Sequence, residues 1–223
     1  MADIGVVAAL PAEAATWPAD SGFQVVVAGP GMQRATAAAR GLLAAGATRL
    51  ISWGVAGGLT ARLRPGDLVL ADRVASADGV QIPDRDWCSE MVARLQPLEC
   101  PLTVGSVWTH AHAVTSLAEK QRLAANGHAI VDMEAAAVAS VARAAGVPFV
   151  VIKAVCDPAG RALPACAPRL LHADGRVRVS AVAMTLASGP RMWRHLRQMH
   201  RDFDAACGGL RKAAACLSVS CPP

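Results

Sequence analysis

The chain of 223 residues has no Tyr and only three Phe. Surfaces that bind nucleic acid usually combine clustered Lys or Arg with aromatic side chains, and this sequence contains no such run. The net charge of +5 is mild, and residues 191–212, with six Arg or Lys and two Asp, account for +4 of it. We therefore expect no nucleic-acid partner.

The seven Cys include no C-x-x-C pair, and an odd number of scattered Cys does not suggest a disulfide framework. The first residues, MADIGVVAALPAEA, lack the basic stretch of a secretory signal. No uncharged apolar run reaches the roughly eighteen residues that a membrane span needs. These absences predict a cytoplasmic protein.

Hydrophobic residues make up 53% of the chain, enough for one sizeable core, and no Ser/Gly linker interrupts it. We predict one domain over residues 1–212 and a disordered tail over residues 213–223. Strand-like and helix-like segments alternate, an order that predicts a sheet flanked by helices. Predicted strands are residues 4–10, 24–28, 49–54, 67–74 and 105–108, and predicted helices are residues 32–45, 87–95 and 116–125.

The most informative stretch is VDMEAAAVA followed by FVVIKAVCD. The Ala-rich segment Glu134 to Ala145 has high helix propensity, and Gly146-Val147-Pro148 would end that helix. Residues 149–155 are apolar except for Lys153, which predicts a strand buried on both faces. Asp157 would then lie at the C-terminal edge of a strand, where α/β sheets bind ligands.

Each of the two acids also has a purely structural interpretation. Asp157 precedes Pro158, and Asp-Pro commonly starts a turn. Glu134, in the first turn of a helix, would complement the helix dipole without any ligand. The functional interpretation therefore depends on the surrounding motifs.

Four blocks stand in a characteristic order: IGVVAALPAEA, SWGVAGGL…RPGDLVLADRV, VDMEAAAVA and VVIKAVCDPA. In this order they resemble the nucleoside phosphorylase and nucleosidase superfamily, including the methylthioadenosine/S-adenosylhomocysteine nucleosidases, over roughly residues 3–160. The segment CDPAGRALP…DGR and the basic C-terminal helix are most similar to the hopanoid-associated phosphorylases, which remove adenine from adenosylhopane. The resemblance implies an α/β fold, a three-layer single domain with a central mixed β-sheet flanked by helices.

By this resemblance, Asp157 protonates the purine at N7, and Glu134 accepts hydrogen bonds from the ribose hydroxyls. Breaking an N-glycosidic bond builds negative charge on the purine and positive charge on the sugar, so both roles fit the chemistry. Asp157 would need apolar or anionic surroundings to keep its proton near neutral pH, and residues 149–155 are apolar. Val114 and Met133 would line the base and the ribose, although either could equally belong to the core.

The sequence leaves the nucleophile open. Glu13 resembles the glutamate that positions the attacking water in the nucleosidases. Phosphate would instead need cationic side chains and converging backbone N–H groups, for which the candidates are Arg34, Lys153 and the amides of Gly57 and Gly58. Lys153 stands where the nucleosidases have Arg, and it could also be a strand-end charge that reaches solvent.

Two departures from the nucleosidases concern recognition of the substrate. Val55 stands where relatives often have Ser, and the stretch HAHAVTS at residues 110–116 lacks the Phe that stacks on adenine. His110 and His112 could point to one face of a strand, but the sequence offers no third metal ligand. We predict no metal and no cofactor, with phosphate as the co-substrate.

The last third of the chain departs from the small nucleosidases. Residues 156–168 contain three Pro and predict an irregular loop over the pocket. Residues 191–206 predict a basic amphipathic helix, which could pack on the domain or contact a membrane surface. Its apolar positions are Met192, Trp193, Leu196, Met199 and Phe203.

Together these features predict an enzyme that releases adenine from a 5′-substituted adenosine, by phosphorolysis of adenosylhopane. One alternative is a methylthioadenosine or S-adenosylhomocysteine nucleosidase that uses water. The other is a nucleoside-binding protein without turnover. The resemblance also implies a homo-oligomer.

Overall fold

The computed structural model of the chain describes residues 3–98, 100–164, 166–170, 172–187 and 189–218. The strands are β1 (Ile4–Ala8), β2 (Gln24–Val27), β3 (Arg49–Gly58), β4 (Leu68–Ser76), β5 (Gly79–Gln81), β6 (Leu102–Thr109), β7 (Ile130–Asp132) and β8 (Phe149–Asp157). The helices are α1 (Pro11–Ala14), α2 (Met32–Ala44), α3 (Arg85–Leu95), α4 (Leu117–Ala125), α5 (Ala135–Ala145), α6 (Val179–Ala187) and α7 (Pro190–Ser218), with a 3₁₀ turn at Ala167–Leu170.

The strands form one mixed sheet in the order β2-β1-β3-β7-β6-β4-β5, and β8 pairs with both β3 and β4. β8 runs parallel to β3 and antiparallel to β4. β3 pairs with β7, β7 with β6, β6 with β4, β4 with β8 and β8 with β3, so these five strands form a closed ring. Each of them therefore has a hydrogen-bonded neighbour on both sides along at least part of its length. β1 and β2 extend the sheet in parallel from β3.

Helices cover both faces of this sheet. One apolar cluster contains buried residues of α2 and α5, and the other contains buried residues of α3 and α7. α5 contributes mostly Ala to its cluster, and these small side chains let the helix approach the sheet closely. The three-layer α/β arrangement with a mixed central sheet confirms the fold class predicted from the sequence.

Two strands were not predicted, β5 and β7, and each has three residues. Such short strands carry too few side chains to show the alternation by which strands are recognised. β7 overlaps the start of the VDMEAAAVA block, so α5 begins only at Ala135. Glu134 is therefore the N-cap residue of α5 and does not lie within its first turn.

The prediction of a disordered tail from residue 213 was wrong for residues 213–218, because α7 continues to Ser218. Ala213, Ala214 and Leu217 are buried in the cluster beside α3, where they continue the apolar stripe of the helix. Residues 219–223 lie outside the described residues.

The first half of α7 is mostly exposed, and the side chain of Trp193 is 49% exposed. Its first buried residue is Asp202, which forms an ion pair with Arg161. Within the described part of the chain, no helix is long and apolar enough to cross a membrane.

Candidate active site

The candidate active site lies where strand β3 changes neighbours. β1 pairs with β3 as far as Trp53, whereas β7 pairs with β3 only from Gly57 onward. In the interval between them, the backbone N–H of Val55 donates to Glu13 Oε1 at 2.9 Å. A break in strand pairing exposes polar backbone groups that a side chain or a ligand must satisfy, and α/β proteins bind ligands at such points.

The side chain of Glu13, which belongs to α1, occupies the gap beside β3 between the ends of β1 and β7. Its Oε2 accepts hydrogen bonds from the backbone N–H groups of Ala9 at 2.9 Å and Leu10 at 2.8 Å. Gly54, with a φ of 146°, faces the carboxylate so closely that a Cβ there would lie 2.6 Å from Oε1. Burial raises the pKa of Glu13 above its ordinary value, although Lys153 and the three backbone N–H groups oppose that rise.

Glu134 is the second buried carboxylate. As the N-cap residue of α5 it turns away from the helix, and its Oε1 accepts a hydrogen bond from the backbone N–H of Gly31 at 2.8 Å. Gly31 follows β2 with a φ of 101°, a conformation that glycine adopts readily. Burial raises the pKa of Glu134 from 4.5 to about 7, with Lys153 opposing the rise and Asp132 adding to it.

Lys153 links the acids. Its side chain is 2% exposed, and its Nζ lies 3.0 Å from Asp132 Oδ2. Burial by itself would lower the pKa of Lys153, but the carboxylates of Asp132, Glu134 and Glu13 together raise it. Of the two interpretations of this residue, the strand-end charge that reaches solvent is therefore wrong.

Replacing Lys153 by Met is expected to lower the free energy of unfolding by about 3 to 5 kcal/mol, because it leaves Asp132 buried without its cation. Urea denaturation measures this loss. The matched control is Lys212→Met on α7, where the same substitution removes an exposed Lys and is expected to change stability by less than about 0.5 kcal/mol. Equal stability of the two variants would contradict the prediction.

Asp157, the third buried carboxylate, ends β8 and is 5% exposed. It lies beside Gly57, where a Cβ would be 3.2 Å from Asp157 Oδ1 and 3.2 Å from a methyl group of Val131. Gly57 of β3 pairs with Val131 of β7 and with Asp157 of β8, so one residue of β3 lies between Asp157 and the VDMEAAAVA block. The sheet therefore brings Asp157 to the same region as Glu134, which follows Val131 by three positions.

The surroundings of Asp157 differ from the apolar or anionic ones expected from the sequence. Lys120, on α4, forms an ion pair with Asp157 Oδ2 and donates to the carbonyl oxygen of Pro158 at 3.0 Å. The Lys120 side chain is 1% exposed. The thiol of Cys156, whose pKa is raised by burial first and then by Asp157, donates to Asp157 Oδ1 at 3.4 Å.

The other residues predicted for the site differ in their burial and in their contacts. Gly57 and Gly58 lie in sheet register with β7, and a Cβ on either would lie 3.2 Å from an oxygen of Asp157. Val114 is 5% exposed and packs in a small apolar cluster, and Met133 is half-buried. Arg34 is exposed on α2 and donates to the carbonyl oxygen of Pro30 at 3.3 Å.

His110 and His112 form a local turn, in which the backbone N–H of His112 donates to His110 Nδ1 at 3.1 Å. No group of three or more His, Cys, Asp or Glu could hold a metal ion in the described ranges.

Two grooves, of about 230 and 450 Å³, lie along α2 and contain none of the buried carboxylates. The acids themselves are enclosed, partly by the segment around Ala173 and Gly175. A Cβ on Gly29 would lie 2.5 Å from the carbonyl oxygen of Ala173, and a Cβ on Gly175 would lie 2.8 Å from that of Ala9. This segment, which follows the loop predicted at residues 156–168, thus covers the turns that lead to Glu13 and Gly31.

The raised pKa of Glu134 has a measurable effect on stability. Between pH 4.5 and about 7 the folded chain holds a proton on Glu134 that the unfolded chain has released. Stability therefore falls as pH rises through this window, by roughly 3 kcal/mol for this group. Denaturant titrations across the window should show a flatter pH dependence for Glu134→Gln than for the wild type. An unchanged slope would contradict the assignment.

Comparisons with known proteins agree with this architecture. The model of the Phosphorylase superfamily matches residues 21–184. Methylthioadenosine/S-adenosylhomocysteine nucleosidases from Neisseria meningitidis and Helicobacter pylori share 17% identity with the chain, at TM-scores of 0.74 and 0.72. The first match covers 97% of this chain and 98% of the other, and the second covers 96% of each.

Futalosine hydrolase of Helicobacter pylori is 20% identical, with a TM-score of 0.64 over 89% of this chain and 97% of its own. No protein of curated function matches the sequence. At these identities the solved structures support the fold, whereas the family model spans most of the chain. The protein belongs to the Phosphorylase superfamily.

Proposed function

We propose that the protein hydrolyses the N-glycosidic bond of a 5′-substituted adenosine and releases adenine, with water as the nucleophile. The observation that carries the choice of water is the environment of Glu13. Its carboxylate occupies the three backbone N–H groups of Ala9, Leu10 and Val55, which are the groups that an anion would otherwise use. A buried carboxylate in that place suits a general base for water.

The charges around Glu13 also disfavour phosphate. Asp132 and Glu134 lie near Lys153, which is already paired with Asp132. A phosphate dianion placed there would meet three carboxylates and one occupied cation. Arg34, the other predicted phosphate ligand, is exposed and bonds to its own turn.

The three acids match the charges of the reaction. Glu13 takes a proton from water, whose oxygen attacks the anomeric carbon of the ribose. Glu134 accepts hydrogen bonds from the ribose hydroxyls and stabilises the positive charge that develops on the sugar. Asp157, on the other side of Gly57, lies where a hydrogen bond to the departing purine completes the arrangement.

The solved structures that share this fold support the reaction class. They include nucleosidases crystallised with nucleoside analogues and a futalosine hydrolase. Both of these activities are hydrolytic, which agrees with the role that we propose for Glu13.

Phosphorolysis of adenosylhopane is the second candidate. The observation that favours a large apolar 5′ group is the exposed corner formed by α6 and the start of α7. Val179 and Met184 on α6 are 76% and 72% exposed, and Arg194 and Arg197 are exposed on the neighbouring helix α7. If this corner meets a lipid surface, the protein should float with anionic liposomes and should not float with neutral ones.

The deciding experiment follows adenine release from a panel of 5′-substituted adenosines, with and without inorganic phosphate. We expect full activity without phosphate and the unphosphorylated 5′-substituted ribose as the second product. Activity that requires phosphate and yields ribose 1-phosphate derivatives would establish phosphorolysis instead. Tight nucleoside binding without any base release would indicate a binding protein.

A further inference from the structure

The chain has three Lys, and two of them, Lys120 and Lys153, are almost completely buried. Lys is rarely buried unless it is paired, because desolvating an ammonium is costly. Lys153 is explained by its position among the carboxylates near Glu13. Lys120 lies at the other end of the site and has no part in the mechanism derived above.

We propose that Lys120 is a positioning residue for the departing base, acting through Asp157. This inference rests on the proposed function and names a further residue of the same site. The ammonium holds Asp157 Oδ2 and is itself held by the carbonyl oxygen of Pro158. Both carboxylate oxygens face Gly57, where a Cβ would lie 3.2 Å from Oδ1 and 3.3 Å from Oδ2, and Oδ1 also accepts from the Cys156 thiol.

α4 makes this arrangement possible. Ser116 caps the helix by accepting the backbone N–H of Glu119 at 3.2 Å, which fixes the start of the helix. Lys120 and Leu123 then form its buried side, three positions apart. The hydrophobic neighbour Leu123 packs in the cluster that contains Val114 and Val131. The side chain of Lys120 therefore lies on the same side of α4 as this apolar cluster and reaches Asp157 at the end of β8.

The pair accounts for the proton that the base needs. When the C1′–N9 bond breaks, its electron pair moves to the purine, which takes up a proton at N7. That proton comes from the Lys120 ammonium and passes through the Asp157 carboxylate, so Asp157 starts and ends the step as a carboxylate and Lys120 becomes an amine. Water gives its hydroxyl group to the sugar and one proton to Glu13; Glu13 then releases that proton to solvent, and Lys120 takes one proton from solvent. Protons and charge thus balance over the cycle.

The test uses Lys120→Gln in the full-length chain. The Gln amide can still donate to Asp157 but carries no acidic proton. We expect kcat for adenine release to fall by about 10²-fold while KM changes by less than about threefold. The matched control is Arg122→Gln, which removes an exposed cation from the same helix and should leave both constants unchanged.

A better leaving group separates proton supply from a purely structural role. With a 6-chloropurine riboside that bears the same 5′ group, the base departs with less need of a proton, so the loss should shrink to about tenfold or less. Equal losses on the two substrates would overturn the proposal, because a misfolded site would slow both alike. Wild-type kcat in Lys120→Gln would overturn it as well.

A double variant keeps the test valid if Lys120→Gln folds poorly. Lys120→Gln/Asp157→Asn removes both charges of the pair, so neither remains buried alone. Its kcat should equal that of Asp157→Asn, because residues that act as one unit do not add their effects. A further tenfold loss would show that Lys120 acts independently of Asp157. A wild-type chain that releases no base from any nucleoside would instead reject the proposed function itself.

Discussion

Replacing Glu13 by Gln is expected to lower kcat for adenine release by about a thousandfold, since the amide cannot accept a proton from water. Binding of the nucleoside should change little, because Glu13 acts on the nucleophile. Steady-state kinetics with a 5′-substituted adenosine measure both constants. The fall should lie in kcat, with KM nearly constant.

Glu13→Gln also has a structural cost, which needs its own control. In the wild type, the backbone N–H of Val55 donates to Glu13 Oε1. The amide nitrogen of Gln is a donor and would leave this N–H without an acceptor, and an unsatisfied buried group costs about 1 to 3 kcal/mol. Thr16→Val is a matched control, because Thr16 donates to the Glu13 carbonyl at 2.6 Å and accepts from Trp53 Nε1 at 3.0 Å. This variant should lose similar stability and keep its turnover. If Glu13→Gln retained most of its activity, Glu13 would not be the base.

The second large effect is expected for Asp157→Asn. The amide keeps the shape of the side chain and can still contact Lys120, but it cannot pass a proton to the purine. We expect kcat to fall by about 10² to 10⁴-fold with substrate binding largely intact. Adenine release under single-turnover conditions tests the chemical step directly.

A suitable control for this variant is Asp202→Asn on α7. Asp202 is 6% exposed and forms an ion pair with the partly exposed Arg161, so the variant also removes a buried anion from an ion pair. It lies outside the carboxylate cluster and should leave kcat unchanged. Wild-type turnover in Asp157→Asn would mean that another group protonates the base.

The long elements of the fold could be predicted from the sequence. β1, β3 and β8 are apolar runs, α5 contains no Gly or Pro, and α2 contains one Gly among residues that mostly favour helix, so local composition indicates them. β5 and β7 were missed because three residues carry too little pattern. The extent of α7 was underestimated because the pair Gly208-Gly209, which follows the predicted end of the helix, lowers the local helix propensity, whereas packing on the sheet carries the helix through it.

The site was partly predictable for a different reason. Glu13, Glu134 and Asp157 each lie in a block that resembles a known family, and the structure brings all three to the region where β3 changes neighbours. Lys120 stands in no such block, and its helix has charged residues on several faces. One available signal was that Lys is scarce in this chain, with three Lys among 22 basic residues.

The sequence by itself determined most of the longer strands and helices, the stop after α5 and the identity of the acids, because these depend on residues that are neighbours along the chain. Tertiary structure alone decided how the charges pair: Lys153 with Asp132, and Lys120 with Asp157. It also decided that Gly57 makes room for a carboxylate. Such pairings depend on which strands adjoin, and strand order is set by long-range packing that local periodicity does not record.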